Sequence, residues 1–335
     1  MKIVISHNSA LEYWRSSTPP QQDSSCTAKA RTLDRQQPSL AQIENLGLRQ
    51  YGVLSEPVHV LARGSKARKP TGKAVHHTSI IELPEGALVG IATCGSGKLY
   101  VSSPELCFIQ MAGQFTLPQL IELGFEFCGL YSLTDNGPRG FFPRHPLTSI
   151  EKLRKFSDRS GGLHGTKLAQ RALRFVVPNA ASPRETALTM LLCLPCALGG
   201  YGLDKPELNF RRNADRRNRR LSDKSFYRCD LCWPERKLAV EYDSDLHHTG
   251  SERIASDSRR RNALTSLGMT MLSVTKKQIN NYTEFDRASR QIARHLGKRI
   301  QPRSKDFVSK QFELRAYLLG RTISPKSGYE GDAPQ

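Results

Sequence analysis

The sequence predicts an α/β domain with a mixed central sheet flanked by helices over residues 182–300, preceded by an α+β domain over residues 1–177. Three observations lead there. After residue 182 the apolar pattern runs helix, strand, two-strand hairpin, helix, strand, helix. Before residue 177 short alternating stretches are mixed with helical ones. Between them PNAASP (178–183) has the composition of a linker, and residues 301–335 read as a polar tail. A chain of 335 residues is long enough for two domains and a sizeable core.

MKIVIS opens the chain as a strand, and SALEYWRS starts a helix with Ser9 as its cap. Residues 16–38 are polar and contain prolines, the composition of a loop or arm. SLAQIENLG is helical and closes at Gly47. YGVLSEPVHVLA (51–62) alternates as a strand, RGSKARKPTGK (63–73) is a basic loop, and AVHHTSIIEL is a strand again. KLYVSS leads into the helix PELCFIQMAG, with Ser103 as cap and Pro104 in first position. TLPQLIELGFEFCGLYSL continues helically, and LTSIEKLRKFSD and TKLAQRALRFV are helices on either side of a glycine pair.

In the second half RETALTMLLCLP is a helix and PELNFRR a short strand. A strongly basic loop, NADRRNRRLSDK, leads to the strands SFYRCDLCW and KLAVEYDS. SERIASDSRRRNALTSLG is a helix, MTMLSVT a buried strand and EFDRASRQIARHLG a closing helix.

The formal net charge of +19 favours a polyanionic partner, nucleic acid first and an anionic membrane surface second. DNA is the expected partner, and RNA the alternative. The longest apolar run, MLLCLPCAL (190–198), is too short to span a membrane, and the N-terminus does not read as a signal peptide. The eight cysteines are scattered, so they are expected to be reduced thiols in the cytoplasm. Cys193-x-x-Cys196 and Cys229-x-x-Cys232 have zinc-like spacing. However, three residues along a strand send Cys229 and Cys232 to opposite faces, and no structural zinc is expected.

The strands around Pro234-Glu235 carry the chemistry. A tight hairpin with Trp233 opposite Arg236 pairs Cys229 with Val240, Leu231 with Leu238 and Tyr227 with Tyr242 on an apolar side. Asp230, Arg228, Glu241 and Asp243 fall on the other side, where Asp230 and Glu241 can share one ion. Carboxylate oxygens suit Mg2+, or Mn2+ in its place. The arginines of the basic loop, Arg211, Arg212, Arg216, Arg217, Arg219 and Arg220, begin and end near this face and are expected to meet a phosphate backbone, with Arg259 and Arg261 adding to them. His247 and His248 are candidates for a general base or a phosphate contact, or for an inert loop position. Asp257, Arg260, Leu264 and Gly268 share a helix face, so Arg260 either approaches the scissile phosphate or pairs with Asp257 to orient the helix.

This order of elements, with Asp230, ten residues, then Glu241-Tyr242-Asp243, resembles the PD-(D/E)XK nuclease core. KLAVEYDSDLHH, followed by Asp257-x-x-Arg260-x-x-x-Leu264-x-x-x-Gly268 and MTMLSVT, is similar to its very-short-patch-repair endonuclease branch. The resemblance covers residues 182–280 and implies metal-dependent hydrolysis of DNA phosphodiesters in defence, repair or a mobile element. It implies Asp230 and Glu241 as metal ligands, Glu185 pointing to the metal from the opening helix, and Asp243 at the edge. Asp243 stands where the family has lysine, although this branch often has Asp there, and Ser244 replaces the usual glycine. Lys237, Arg228 or Arg260 would supply the cation. In the first half PVHVLAR (57–63), AVHHTSI (74–80) and YVSSPELCFIQMAG (100–113) resemble AbiEi-type antitoxins. That resemblance implies a DNA-binding or regulatory role, and the alternative reading: a non-catalytic antitoxin or transcriptional regulator of a type IV toxin–antitoxin system, with a toxin or operon partner protein.

Overall fold

The computed structural model describes residues 1–16, 32–94, 97–134, 139–213, 226–243, 251–302 and 305–320. It is a mixed α/β structure in which helices flank two mixed sheets.

The first sheet is built around β1 (Lys2–Ile5), whose apolar KIVI is almost wholly buried. It runs parallel to β5 (Gly97–Ser102) and antiparallel to β2 (Val58–Arg63). β3 (Ala74–Ser79) and β4 (Leu88–Cys94) complete the order β3-β2-β1-β5-β4. β4 was not expected from the sequence. β2 is shorter than the expected strand, beginning only after Pro57, which has no N–H for a ladder; before it residues 48–51 form a one-turn 3-10 helix that ends in left-handed Gly52 at φ 77°.

Helix α1 (His7–Arg15) begins at Ser6, not at the expected cap Ser9. Ser9 lies inside the helix, where its hydroxyl accepts the His59 N–H at 2.9 Å. α2 (Leu40–Glu44) has a reciprocal Ser39–Gln42 capping box. α3 (Pro104–Met111) is capped by Ser103 with Pro104 in first position, as the sequence predicts. α4 (Leu117–Phe127) stops before Tyr131, and Tyr131–Leu133 forms β6 against β7 (Phe141–Pro143) instead of continuing the helix. α5 (Ile150–Asp158) and α6 (Thr166–Ala172) follow.

The second sheet has the order β11-β10-β9-β8. β8 (Glu207–Asn213), β9 (Phe226–Trp233) and β10 (Leu238–Asp243) are antiparallel neighbours, while β11 (Thr270–Thr275) runs parallel to β10. α7 (Pro183–Cys193), capped by Ser182, packs on β9 and β10. α8 (Ser251–Ser266) covers a second cluster through Ala263 and Leu264. α9 (Lys276–Asn280) and α10 (Tyr282–His295) lie beyond β11.

Three further features depart from the sequence reading. Residues 307–319, placed in the polar tail, form α11 (Phe307–Leu319). Its buried positions Phe307, Gln311, Leu314, Arg315 and Leu318 recur at helical spacing, and the polar residues on either side hid this largely apolar segment in the sequence. The PNAASP segment is packed: Ala180 is fully buried and its carbonyl accepts the Leu130 N–H at 2.7 Å. The main core accordingly runs without interruption from Ile3 to Leu318.

The third departure is the hairpin register. Leu238 pairs with Trp233, Ala239 with Cys232 and Val240 with Leu231. Trp233 therefore meets Leu238 and not Arg236, a slide of two residues. The cause is the connection: Pro234–Arg236 makes a 3-10 turn and Lys237 takes φ 49° to re-enter the sheet. A slide of two preserves the face of every side chain. The faces are nevertheless not uniform along β9. Leu231 and Trp233 join the main core, while Tyr227, Cys229 and Cys232 join the cluster under α8. The change falls where β8 passes through Asn209, at φ 51° and in register with Asp230.

Candidate functional site

The acids lie where the two strands change company. Following the pair Val240–Leu231, Glu241 comes beside Asp230. One Asp230 carboxylate oxygen, Oδ2, accepts the Tyr242 N–H at 2.9 Å, which binds the acid across the hairpin. Glu241 is 9% exposed. Its Oε2 accepts from Arg260 Nη2 at 2.9 Å, and Arg260 Nη1 donates to the Arg228 carbonyl at 2.9 Å. Oε1 of Glu241 is buried without a hydrogen-bond partner among the described residues. A buried carboxylate oxygen left in that state costs about 1–3 kcal/mol or more.

Glu185 enters from the first turn of α7 and is 8% exposed. Its Oε1 accepts from Ser182 Oγ at 2.9 Å; its Oε2 accepts from the Ala181 N–H at 2.8 Å and from Asn209 Nδ2 at 2.7 Å. Asn209 also donates to the Asn179 carbonyl at 2.8 Å. The sequence reading missed Asn209. Its one signal was a short polar side chain in the strand PELNFRR, of a type that tolerates the left-handed region.

The electrostatics of the three acids agree. Burial, then the charge of Asp230, pushes Glu185 up to about 7. Burial, then Asp230, likewise pushes Glu241 up to about 7, against the pull of Arg260. Burial raises Asp230 too, opposed by the Tyr242 N–H and by Arg260. One guanidinium does not offset three buried carboxylates. Among the described residues, no three His, Cys, Asp or Glu side chains are gathered closely enough to hold a metal ion. Glu185 turns its oxygens to three donors, which leaves Asp230 and Glu241 as a pair. A pair with one unpartnered oxygen fits Mg2+, which takes one or two carboxylates and keeps its other positions for water and phosphate oxygens.

The remaining expected residues are placed as follows. Asp243 is half-buried at the end of β10, in register with Thr275 and on the Glu241 face by alternation. Of the three candidate cations, Arg260 reaches Glu241. Lys237 sits in the turn at the other end of β10, and the exposed Arg228 contributes its carbonyl. Arg211, Arg212 and Arg259 are exposed, and the Arg211 guanidinium lies 3.9 Å over the Phe226 ring. Arg216, Arg217, Arg219, Arg220, His247 and His248 lie outside the described residues, as does the Asp257 side chain.

Cys229 and Cys232 are not on opposite faces. Both are fully buried under α8, and the neighbouring Cys232 thiol, with burial, holds Cys229 far above the ordinary thiol range. Cys193 and Cys196 border the main core instead, with Cys193 Sγ donating to the Asp204 carbonyl at 3.3 Å.

A second group of titratable side chains lies at the end of β1. The His7 ring stacks on His77 with centroids 3.5 Å apart at 14°, and His59 Nδ1 is 2.9 Å from His77 Nε2. His7 and His77 border a cavity of about 370 Å³ together with His164 and Gln110. His7 itself is left-handed at φ 50°. Stacked in near-parallel planes, the rings do not aim their nitrogens at one point.

Among the described residues, no helix is long and apolar enough to cross a membrane. No family model matches the chain. The chain is similar to two curated proteins of Mycobacterium tuberculosis strains, the uncharacterized proteins Rv2248 and MT2308. Each is 27% identical over 135 residues, which is 40% of this chain and 44% of the relative. The chain therefore spans less than half the length of the curated relatives it matches. No solved structure matches.

Proposed function

We propose that the protein is a metal-dependent DNA endonuclease of the PD-(D/E)XK type, acting in the cytoplasm. The observation that carries this reading is the Asp230–Glu241 pair, with one buried Glu241 oxygen unpartnered among the described residues, at the centre of a mixed sheet between α7 and α8. Asp230 and Glu241 would hold Mg2+ or Mn2+. When bound, the ion supplies a polarised phosphodiester and a water of lowered pKa.

The chain's own residues supply the rest. Glu185, fixed by Ser182, Ala181 and Asn209, stands behind the pair. Arg260, which holds Glu241 here, would meet a phosphate next to the pair. Arg211, Arg212 and Arg259 are exposed cations suited to the DNA backbone, which gives position and not sequence. Supercoiled plasmid incubated with protein and Mg2+ or Mn2+ tests the reading. Wild type nicks or linearises it, and Glu241→Ala loses on the order of 100-fold or more in rate. Equal rates remove the catalytic claim.

A second reading is a DNA-binding antitoxin or regulator that keeps the nuclease fold without turnover. Asp243 at the family's lysine position favours it. Specific, magnesium-independent binding to the protein's own promoter, with no cleavage, is the result it requires.

A further inference from the structure

We propose that Arg260 occupies the cation position of the metal-free site, and that metal and nucleic acid bind cooperatively because a phosphate draws Arg260 away from Glu241. This rests on the nuclease reading and adds a regulatory step to the same site.

The geometry of the guanidinium is the starting point. One arm, Nη1, is fixed to the Arg228 carbonyl at 2.9 Å; the other, Nη2, holds Glu241 Oε2 at 2.9 Å. The Arg260 side chain is 28% exposed and that of Glu241 12%, so the arginine covers the acid from the solvent side. A divalent ion entering between Asp230 and Glu241 meets one free oxygen, Oε1, and one oxygen already neutralised. It also meets a positive charge at close range, and like charges at such distances repel strongly where water is scarce.

Release of Nη2 removes both obstacles, and the Arg228 carbonyl can still hold Nη1. An anion has then to replace Glu241 at Nη2. A phosphodiester provides one, because the planar guanidinium fork matches two phosphate oxygens. Phosphate binding therefore frees the metal site, and metal binding frees the phosphate ligand. Linkage requires the two effects to be equal in size.

The test is a titration of the full chain with Mn2+, reading the free ion by electron paramagnetic resonance, with and without a short DNA duplex checked for integrity on a gel. For the wild type, the duplex tightens Mn2+ binding by about 10-fold. In Arg260→Ala and Arg260→Gln, which are checked for folding by circular dichroism, Mn2+ binds more tightly than to wild type without duplex. The added effect of the duplex then falls to about 2-fold or less. No coupling in the wild type, or unchanged coupling in either folded variant, overturns the inference. The nuclease reading stands in that case provided Glu241→Gln abolishes Mn2+ binding. If wild-type binding of Mn2+ is absent or insensitive to Glu241→Gln, the nuclease reading fails and this inference fails with it.

Discussion

His7 and His77 are held far from the protonation behaviour of a free imidazole. Burial, then the charges of His77, His59 and His164, lowers His7 to about 2, and burial with His59 and His76 lowers His77 to about 4. Burial lowers His59 as well. Gln110, facing them from α3, is uncharged, and no acid lines their cavity among the described residues. The unfolded chain takes up these protons near 6.5 while the folded chain refuses them, so stability falls as pH drops below 6.5 toward about 4. Thermal melts across that range are expected to show a falling Tm in the wild type and a shallower fall in His77→Phe, which keeps a stacking ring and removes a titrating one. An equal slope in the two proteins would show that this cluster is not the cause. The cluster was not legible in the sequence, because His7, His59 and His77 come from three separate elements and only the fold brings them together. Asn209 is similar: a polar residue in a short basic strand acquires its role from Glu185 on a different element.

At the level of elements, local rules were sufficient where the cause is local. Ser103 with Pro104 starts a helix as the sequence demands, and alternation separates Leu238 and Val240 from Glu241. The register failed because it depends on a backbone state that the sequence does not announce. Lys237 is a non-glycine residue at φ 49°, and its four-residue turn with Pro234, Glu235 and Arg236 replaces the tight connection. That conformation costs a non-glycine residue roughly 1–2 kcal/mol. Lys237→Gly relieves it, and urea denaturation is expected to show a gain of about 0.5–1 kcal/mol. A loss would mean that the Lys237 side chain, not its backbone, holds the turn. β4 was missed for a related reason: LVGIATC carries an internal glycine and is followed by CGSG, which reads as loop. Cys229 and Cys232 came together because β9 changes faces near Asp230, a departure from strict alternation that spacing rules do not anticipate.

For the whole molecule, the charge of +19 and the two-sheet mixed α/β architecture were legible, because composition and element order survive errors in single boundaries. The packing between the halves was not: α11 lies among polar residues and PNAASP reads as a linker, yet both are tied into one core. The excess charge makes a specific demand on DNA binding. Replacing both Arg211 and Arg212 by Ala is expected to weaken binding of unrelated duplexes alike, and to lower the salt-dependence slope by about 0.9 for each lost phosphate contact. Fluorescence anisotropy at several salt concentrations measures this, and an effect confined to one sequence would assign these arginines to base reading instead. The most direct test remains at the paired carboxylates. Supercoiled plasmid with saturating Mg2+ is followed over time for wild type and Asp230→Asn side by side. Cleavage by the wild type that drops on the order of 100-fold or more in Asp230→Asn is the expected result. Equal cleavage by the two proteins, or none by the wild type, would contradict a metal-dependent nuclease built on Asp230 and Glu241.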